Sequence, residues 1–317
     1  MAKETLVYLF TGFMDAGKTT TIEEIIYGRD FYASYRRILV IVCEDGDVEY
    51  DEKKLKTINA SLARIENRED FTKEKLNALS NKFKPDAVVI EYNGTWEASV
   101  FYDTELPRNW VLAQALALVD ATSFELYQNN MRAIMNEQLF KADTVIFNRC
   151  DDDTPKAKFR AAIKAINRPA TIVYERADGK IDDSQEELPF DISTDPIEIS
   201  DADYGLWFMD AMDNPEKYEG KRVHFLALCY NPLDGKLEDD EFVPGRFAMT
   251  CCAADMQFLG IKCKYKDAFM IGHKSWIHIT ATFKLEYVRE YKGIGPVLYA
   301  DEIKDAEKPE DEMVYFS

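Results

Sequence analysis

The amino-acid sequence predicts an α/β fold with a doubly wound, mostly parallel sheet, followed by a small all-β domain. Three observations carry that expectation. Apolar runs alternate with helical patterns over the first half of the chain. A glycine-punctuated loop joins the first run to the first helical pattern. Beyond residue 221 the pattern changes to strands with no helices between them.

The runs are residues 6–10, 38–42, 87–90, 115–119 and 144–147, with a sixth at 171–174 after a helix-like stretch at 156–166. Runs apolar throughout suit strands covered on both faces, as parallel strands are. In such sheets ligands bind beyond the carboxyl ends of the strands, so the informative residues should follow each run.

After the first run comes Gly12-Phe13-Met14-Asp15-Ala16-Gly17-Lys18-Thr19, which fits G-x-x-x-x-G-K-[ST], the phosphate-binding P-loop. Ile22, Ile25 and Ile26 then mark one face of a helix. Glycines let the backbone wrap close to a polyphosphate, and the helix N-terminus adds partial positive charge. Lys18 is expected to reach the β- and γ-phosphates, and the Thr19 hydroxyl to bind Mg²⁺. The doubly wound domain is therefore expected to be a P-loop NTPase.

The second run ends in Cys43-Glu44-Asp45-Gly46-Asp47-Val48-Glu49-Tyr50-Asp51, an acidic loop placed to coordinate Mg²⁺ or sense the γ-phosphate. The third ends in Glu91-Tyr92-Asn93-Gly94, the Walker-B arrangement. Its carboxylate holds Mg²⁺ or orients the attacking water, and Gly94 offers a backbone N–H to the γ-phosphate. Asp120 closes the fourth run and is read as structural, with Thr122 or Ser123 capping the next helix. Asn148-Arg149-Cys150-Asp151 closes the fifth. It resembles the guanine-reading N-K-x-D of GTPases, with Arg149 at the Lys position. A carboxylate there accepts hydrogen bonds that guanine donates and adenine does not.

Residues 176–205 are acidic, Pro- and Gly-punctuated and weakly periodic. The expected organisation is a nucleotide domain at 1–178, an acidic linker at 179–205 and a β-domain at 206–317. A short helix at 206–214 precedes strands at 222–230, 246–253, 276–287 and 296–300. Few strands in a domain of that size suggest a small barrel, OB-like in type.

A net charge of −19 disfavours binding to nucleic acid or an anionic membrane. No window approaches an uninterrupted apolar span, and no basic region precedes an apolar core at the N-terminus, so neither direct membrane insertion nor a secretory signal is expected. Six cysteines without framework spacing fit a reducing cytoplasm.

The series GFMDAGKTT, VIVCEDGDVEYD, VVIEYNG, LALVDA and ADTVIFNRCD resembles the CobW-like metallochaperone GTPases, relatives of the urease- and hydrogenase-maturation GTPases. The resemblance covers roughly residues 5–175. It implies GTP and Mg²⁺ as ligands, with Gly12, Gly17, Lys18, Thr19 and Thr20 around the phosphates; Asp15 and Ala16 lie in the same loop and are further nucleotide-binding candidates. It places Glu44 and Gly46 in a switch-like loop, Glu91 and Gly94 at the γ-phosphate, and Asn148 and Asp151 at the guanine. Lys18, Glu44 and Glu91 are the catalytic candidates, and Thr19, Glu44 and Glu91 the Mg²⁺ candidates. Asp15 puts a carboxylate inside the loop, where it orients water or a second cation, or faces solvent.

Two departures stand out. The family's G-C-x-C-C metal motif lies between its second and third strands, but the corresponding interval here holds no cysteine. Cys43 stands where the family has Asn. The C-terminal part resembles a domain of unassigned function found in candidate permease-partner proteins encoded beside CobW-like GTPases. That implies a membrane permease or a metalloprotein as partner, and a homodimer is a further expectation.

The densest soft-ligand group is Cys251-Cys252 with Asp255, which Cys229, Cys263, His273 and His278 could supplement. Adjacent strand residues point to opposite faces, and zinc favours C-x₂₋₄-C pairs, which are absent. These cysteines are thus either a Zn²⁺ site or buried small apolar residues. His224 reads as core or surface. The leading reading is a GTP-hydrolysing switch or chaperone linked to metal homeostasis. The rivals are an ATP-dependent P-loop ligase or kinase and a nucleotide-regulated adaptor for a membrane transport partner.

Overall fold

The apolar runs of the first half become strands of one sheet. In the computed structural model, residues 4–44, 46, 49–184, 186–232, 237–249, 256–314 and 316 are described. The chain divides into two units, residues 1–154 with 166–184 and residues 155–165 with 185–317. The first strands and helices are β1 (Thr5–Thr11), α1 (Lys18–Tyr27), α2 (Arg29–Tyr32), β2 (Ile38–Val42), α3 (Glu52–Thr57) and β3 (Ala60–Arg64). There follow α4 (Lys73–Phe83), β4 (Ala87–Glu91), α5 (Ala98–Tyr102), β5 (Trp110–Asp120), α6 (Phe124–Asn130), α7 (Arg132–Leu139), β6 (Thr144–Cys150), α8 (Lys156–Ile166) and β7 (Thr171–Arg176).

The seven strands lie in the order β3-β2-β4-β1-β5-β6-β7, and every pairing is parallel. Alternate residues feed two cores. Val7, Leu9, Leu39, Ile41, Val88 and Ile90 pack on one face with Leu76 and Leu79 of α4. Phe10, Val40, Val42, Val89, Leu116 and Leu118 pack on the other with Ile22 and Ile26 of α1. The sheet is therefore fully covered, which is why β2 and β4 read as unbroken apolar runs. This is the doubly wound P-loop architecture.

Strand β3 has no counterpart among the six runs. It is an edge strand, and four of its five residues, Ser61, Leu62, Ala63 and Arg64, are only half-buried, so it carries no apolar signature. Asp51 caps α3 by accepting from the Lys53 and Lys54 amides, and Thr72 caps α4 through the Lys75 amide.

The second unit continues with β8 (Ile197–Glu198), α9 (Tyr204–Asp213), β9 (Arg222–Tyr230), β10 (Glu241–Met249), β11 (Met256–Gly260), β12 (Cys263–Lys264), β13 (Trp276–Val288), β14 (Gly293–Asp305) and β15 (Met313–Val314). The pairings β9–β10, β10–β12, β12–β14, β14–β13 and β13–β9 close a five-membered ring. Strand β9 alternates as a barrel wall should, with Val223, Phe225, Ala227 and Cys229 buried. Inside the acidic stretch expected as a linker, Phe190, Ile197 and Ile199 are buried in this unit's core, and β8 pairs with β9. Its apolar residues are too sparse to show periodicity, yet tertiary contacts bury them.

Helix α9 packs on the ring through Tyr204 and Trp207, whose rings meet each other and Phe225. One turn further on, Asp210 is fully buried and accepts from Arg160 Nη2 at 2.6 Å, Tyr218 Oη at 2.7 Å, Asn214 Nδ2 at 2.8 Å and Lys217 Nζ at 3.1 Å. Burial alone would push its carboxyl up, but the bonds from Tyr218, Lys217 and Asn214 hold it below the ordinary value of 3.8. A depressed native pKa contributes stability above the unfolded value, and that stability is lost as pH falls through the folded one. Asp210→Ala is expected to cost about 1–3 kcal/mol, because it takes the acceptor from the buried Tyr218 hydroxyl, while Arg160 keeps Glu186 and Asp213. In urea titrations, Asp210→Asn should flatten the loss of stability that wild type shows below about pH 4.

Candidate functional site

The carboxyl ends of β1, β4 and β5 crowd one another, and the loops after them form the site. Gly12 follows β1 with φ +127, and a Cβ there would strike the carbonyl oxygen of Leu118 in β5. A Cβ on Gly94, after β4, would strike the carbonyl oxygen of Gly12 and lie 2.8 Å from Phe13 Cα. Glycine is required at both positions by close backbone approach. Gly17, with φ +87, precedes the first residue of α1, where a Cβ would meet Asn148 Nδ2 at 2.7 Å.

Lys18 opens α1 and turns back along the loop. Its ammonium donates to the carbonyl oxygens of Gly12 (2.8 Å) and Phe13 (2.7 Å) and pairs with Glu44 Oε2 at 2.5 Å. The Lys18 and Glu44 side chains are 2% and 7% exposed. The Gly94 amide donates to the other oxygen, Glu44 Oε1, at 3.4 Å.

Thr19 Oγ1 donates to Glu91 Oε1 at 2.6 Å, and Tyr50 Oη to Glu91 Oε2 at 2.7 Å. Burial pushes the Glu91 carboxyl up, while the bonds from Thr19 and Tyr50 and the charge of Lys18 oppose that rise. Burial, then the charge of Glu91, pushes the Tyr50 hydroxyl up. A hydroxyl against a buried carboxylate is the donor set a hard, oxygen-seeking cation takes, so Thr19 and Glu91 fit Mg²⁺.

At the end of β6, Asn148 Nδ2 donates to the Ala16 carbonyl at 2.7 Å. Its Oδ1 is buried with no hydrogen-bond partner among the described residues, an acceptor left open to a ligand donor. Arg149 donates to the Asp15 carbonyl at 3.0 Å and pairs with Asp120. Asp120 also accepts from the Thr122 amide and hydroxyl, closing a turn. Its structural role is thus to hold Arg149 on the loop. Ser123 precedes α6 without a side-chain cap bond. Asp151 accepts from the Asp153 amide and the Thr154 hydroxyl and is exposed. The Asp15 and Thr20 side chains lie at the surface beside the loop, with Asp15 exposed. A cavity of about 120 Å³ joins Asp15, Gly17, Lys18, Thr19, Thr20, Glu44, Gly46, Glu91 and Arg149.

The structure thus gathers Gly12, Lys18, Thr19, Glu44, Glu91, Gly94 and Asn148. Sequence reasoning missed Tyr50 and Gln138. Gln138 receives the Gly12 amide at 3.4 Å and donates to the Trp96 carbonyl at 2.9 Å, tying two site loops together. No local pattern marks a buried glutamine on α7 as a loop brace.

The soft-ligand group Cys251, Cys252 and Asp255 lies outside the described residues. Among those described, no group of three or more His, Cys, Asp or Glu is placed to hold a metal. Cys229 and Cys263 are buried, and burial pushes both thiols up, Cys229 to about 12. His273 instead accepts from the Asn231 amide, and His224 bonds Thr280. No helix among the described residues is long and apolar enough to cross a membrane.

Residues 6–174 match the CobW/HypB/UreG nucleotide-binding domain. The chain belongs to this family. Residues 175–316 match the DUF1980 C-terminal domain. The zinc chaperone YjiA of Escherichia coli (strain K12) is 29% identical over 192 residues, which cover 56% of this chain and 58% of that protein. The match therefore spans less than two thirds of that relative. The Zn(II)-bound YjiA GTPase structure from E. coli superposes with a TM-score of 0.43 at 19% identity, over 82% of this chain and 87% of that one. The hydrogenase maturation factor HypB from Archaeoglobus fulgidus gives 0.39 at 18%, over 56% and 83%. The superpositions are loose, and membership rests on the sequence match.

The crowding at the strand ends is testable by thermal unfolding. Gly94→Ala should cost about 1–3 kcal/mol through overpacking against the Gly12 and Phe13 backbone. Alanine at Gly46, which has open space around its Cβ position, should stay within about 0.5 kcal/mol of wild type.

Proposed function

We propose that this protein is a GTP-hydrolysing switch of the metal-chaperone type. The observation that carries the reading is the convergence of Lys18, the Thr19–Glu91 pair and Asn148 on one phosphate loop. The free amides at the start of α1 and the Lys18 ammonium would neutralise the polyphosphate. Thr19 and Glu91 would hold Mg²⁺, which when bound supplies positive charge at the transferring phosphoryl group. Asn148 and Asp151 would read the guanine, with Arg149 braced by Asp120 alongside. Glu91 would also orient the attacking water. Slow turnover without a partner is expected, because no arginine has been assigned to the transition state.

The link to metal handling is supported by the family and by a relative that is itself a zinc chaperone. Cys251, Cys252 and Asp255 are the residues assigned to the metal here, since Arg64 and Glu66 stand in the interval that holds the family's cysteine motif. The closed five-stranded ring in the second unit is read as a barrel of the OB-like type serving a protein partner, a metalloprotein or a permease. The strongly acidic chain argues against nucleic acid in that role.

Phosphate release from GTP should fall to the buffer rate in Lys18→Ala. Asp151→Asn should weaken GTP by about tenfold or more while leaving ATP unchanged. Equal effects on both nucleotides would overturn the guanine reading. Protein purified without chelators should retain zinc, and the Cys251→Ser, Cys252→Ser double variant should lose it with hydrolysis intact. A zinc-free wild type would sink the metal site alone.

A further inference from the structure

A lysine ammonium has three hydrogens to donate. In Lys18 they go to the Gly12 carbonyl, the Phe13 carbonyl and Glu44 Oε2. Nothing is left for a phosphate unless a partner gives way. The two carbonyls belong to the loop that would hold the nucleotide, whereas Glu44 comes from the separate loop after β2. Its second oxygen takes the Gly94 amide. One carboxylate thus engages both a cation and a backbone donor at the end of the phosphate loop. Those are the two donors assigned above to a terminal phosphate.

We propose that Glu44 is a specificity determinant which occupies the terminal-phosphate position and makes the site discriminate between nucleoside diphosphate and triphosphate. The inference rests on the GTP-binding reading above. A diphosphate, whose β-phosphate Lys18 would reach by giving up a loop carbonyl, would leave Glu44 on Lys18 and Gly94. A triphosphate puts a further phosphate, and about one more negative charge overall, at the same two donors, and like charges at that distance do not coexist. The terminal phosphate must displace the carboxylate, taking over its ion pair and its amide. The exchange is feasible because Lys18 passes from one anion to another and is never left buried and unpaired.

A place for the displaced side chain is at hand. Glu44 lines the 120 Å³ cavity at the phosphate loop and also a neighbouring one of about 230 Å³. Met14, Cys43, Arg64, Glu66, Asn93 and Thr95 line the latter as well. Rotation from the first to the second would move the carboxylate from the Lys18 ammonium into a cavity that Arg64 also lines. Triphosphate binding would thereby be reported by the position of Glu44.

The test is calorimetric titration of the full chain with GDP and with the slowly hydrolysed analogue GTPγS, both with Mg²⁺. Wild type, Glu44→Gln and Glu44→Ala are compared. Glu44→Ala should tighten GTPγS by about tenfold and leave GDP within about twofold. Glu44→Gln, which keeps the shape and loses the charge, should tighten GTPγS in the same direction. GDP binding shows that each variant is folded. Equal shifts for both nucleotides, or weaker GTPγS binding, would overturn the proposal and leave the GTP reading standing. Failure of wild type to bind either nucleotide would overturn the GTP reading and this proposal with it.

Discussion

The nucleotide-binding region depends on how closely three strand ends approach one another. Strand β1 runs between β4 and β5, and the backbone leaving it at Gly12 lies against the Leu118 carbonyl on one side and Gly94 on the other. No side chain fits in either gap. That closeness sets where α1 begins, and so where Lys18 and Thr19 stand. It also brings Thr19 to Glu91, a residue 72 positions away in the chain. Loosening the approach would separate the lysine, the hydroxyl and the carboxylate together.

Two buried charges show how the same physics serves different ends. Asp210 accepts from four side chains, all from its own unit, and Arg160 is held by Glu186 and Asp213 as well. That is a structural lock. Lys18 and Glu44 are also buried, but their bond joins the start of α1 to a separate loop, and in the displacement proposed above an incoming phosphate would replace one member. Burial makes both pairs strong because water does not compete. What differs is whether a substitute of like charge can reach the site. At Lys18 the adjoining cavity provides that access.

Much of the first unit was legible in the sequence because a doubly covered parallel sheet leaves a plain mark. Strands β1, β2, β4, β5, β6 and β7 coincide with the apolar runs, and the Gly12–Gly17–Lys18–Thr19 spacing identified the loop. Edge position hid β3, whose half-buried residues make no apolar run. Strands β11 and β12 were equally silent, since β11 buries only Leu259 and β12 is two residues long. Asp120 was read as structural, but its hold on Arg149 depends on a neighbouring strand and has no local sign.

The sequence by itself determined which residues are chemically able to act here, and it did so through spacing. Glycines at 12 and 17, a lysine and threonine at 18 and 19, and acids at the ends of apolar runs follow from backbone sterics and strand termination. Only the tertiary structure decided which of them meet. It set Glu44 rather than solvent against Lys18, divided the Glu91 carboxylate between Thr19 and Tyr50, and braced Gly12 with Gln138. Those partners are separated by tens of residues or more. Their meeting depends on strand order and on the packing of α7, neither of which has a periodic trace in the chain.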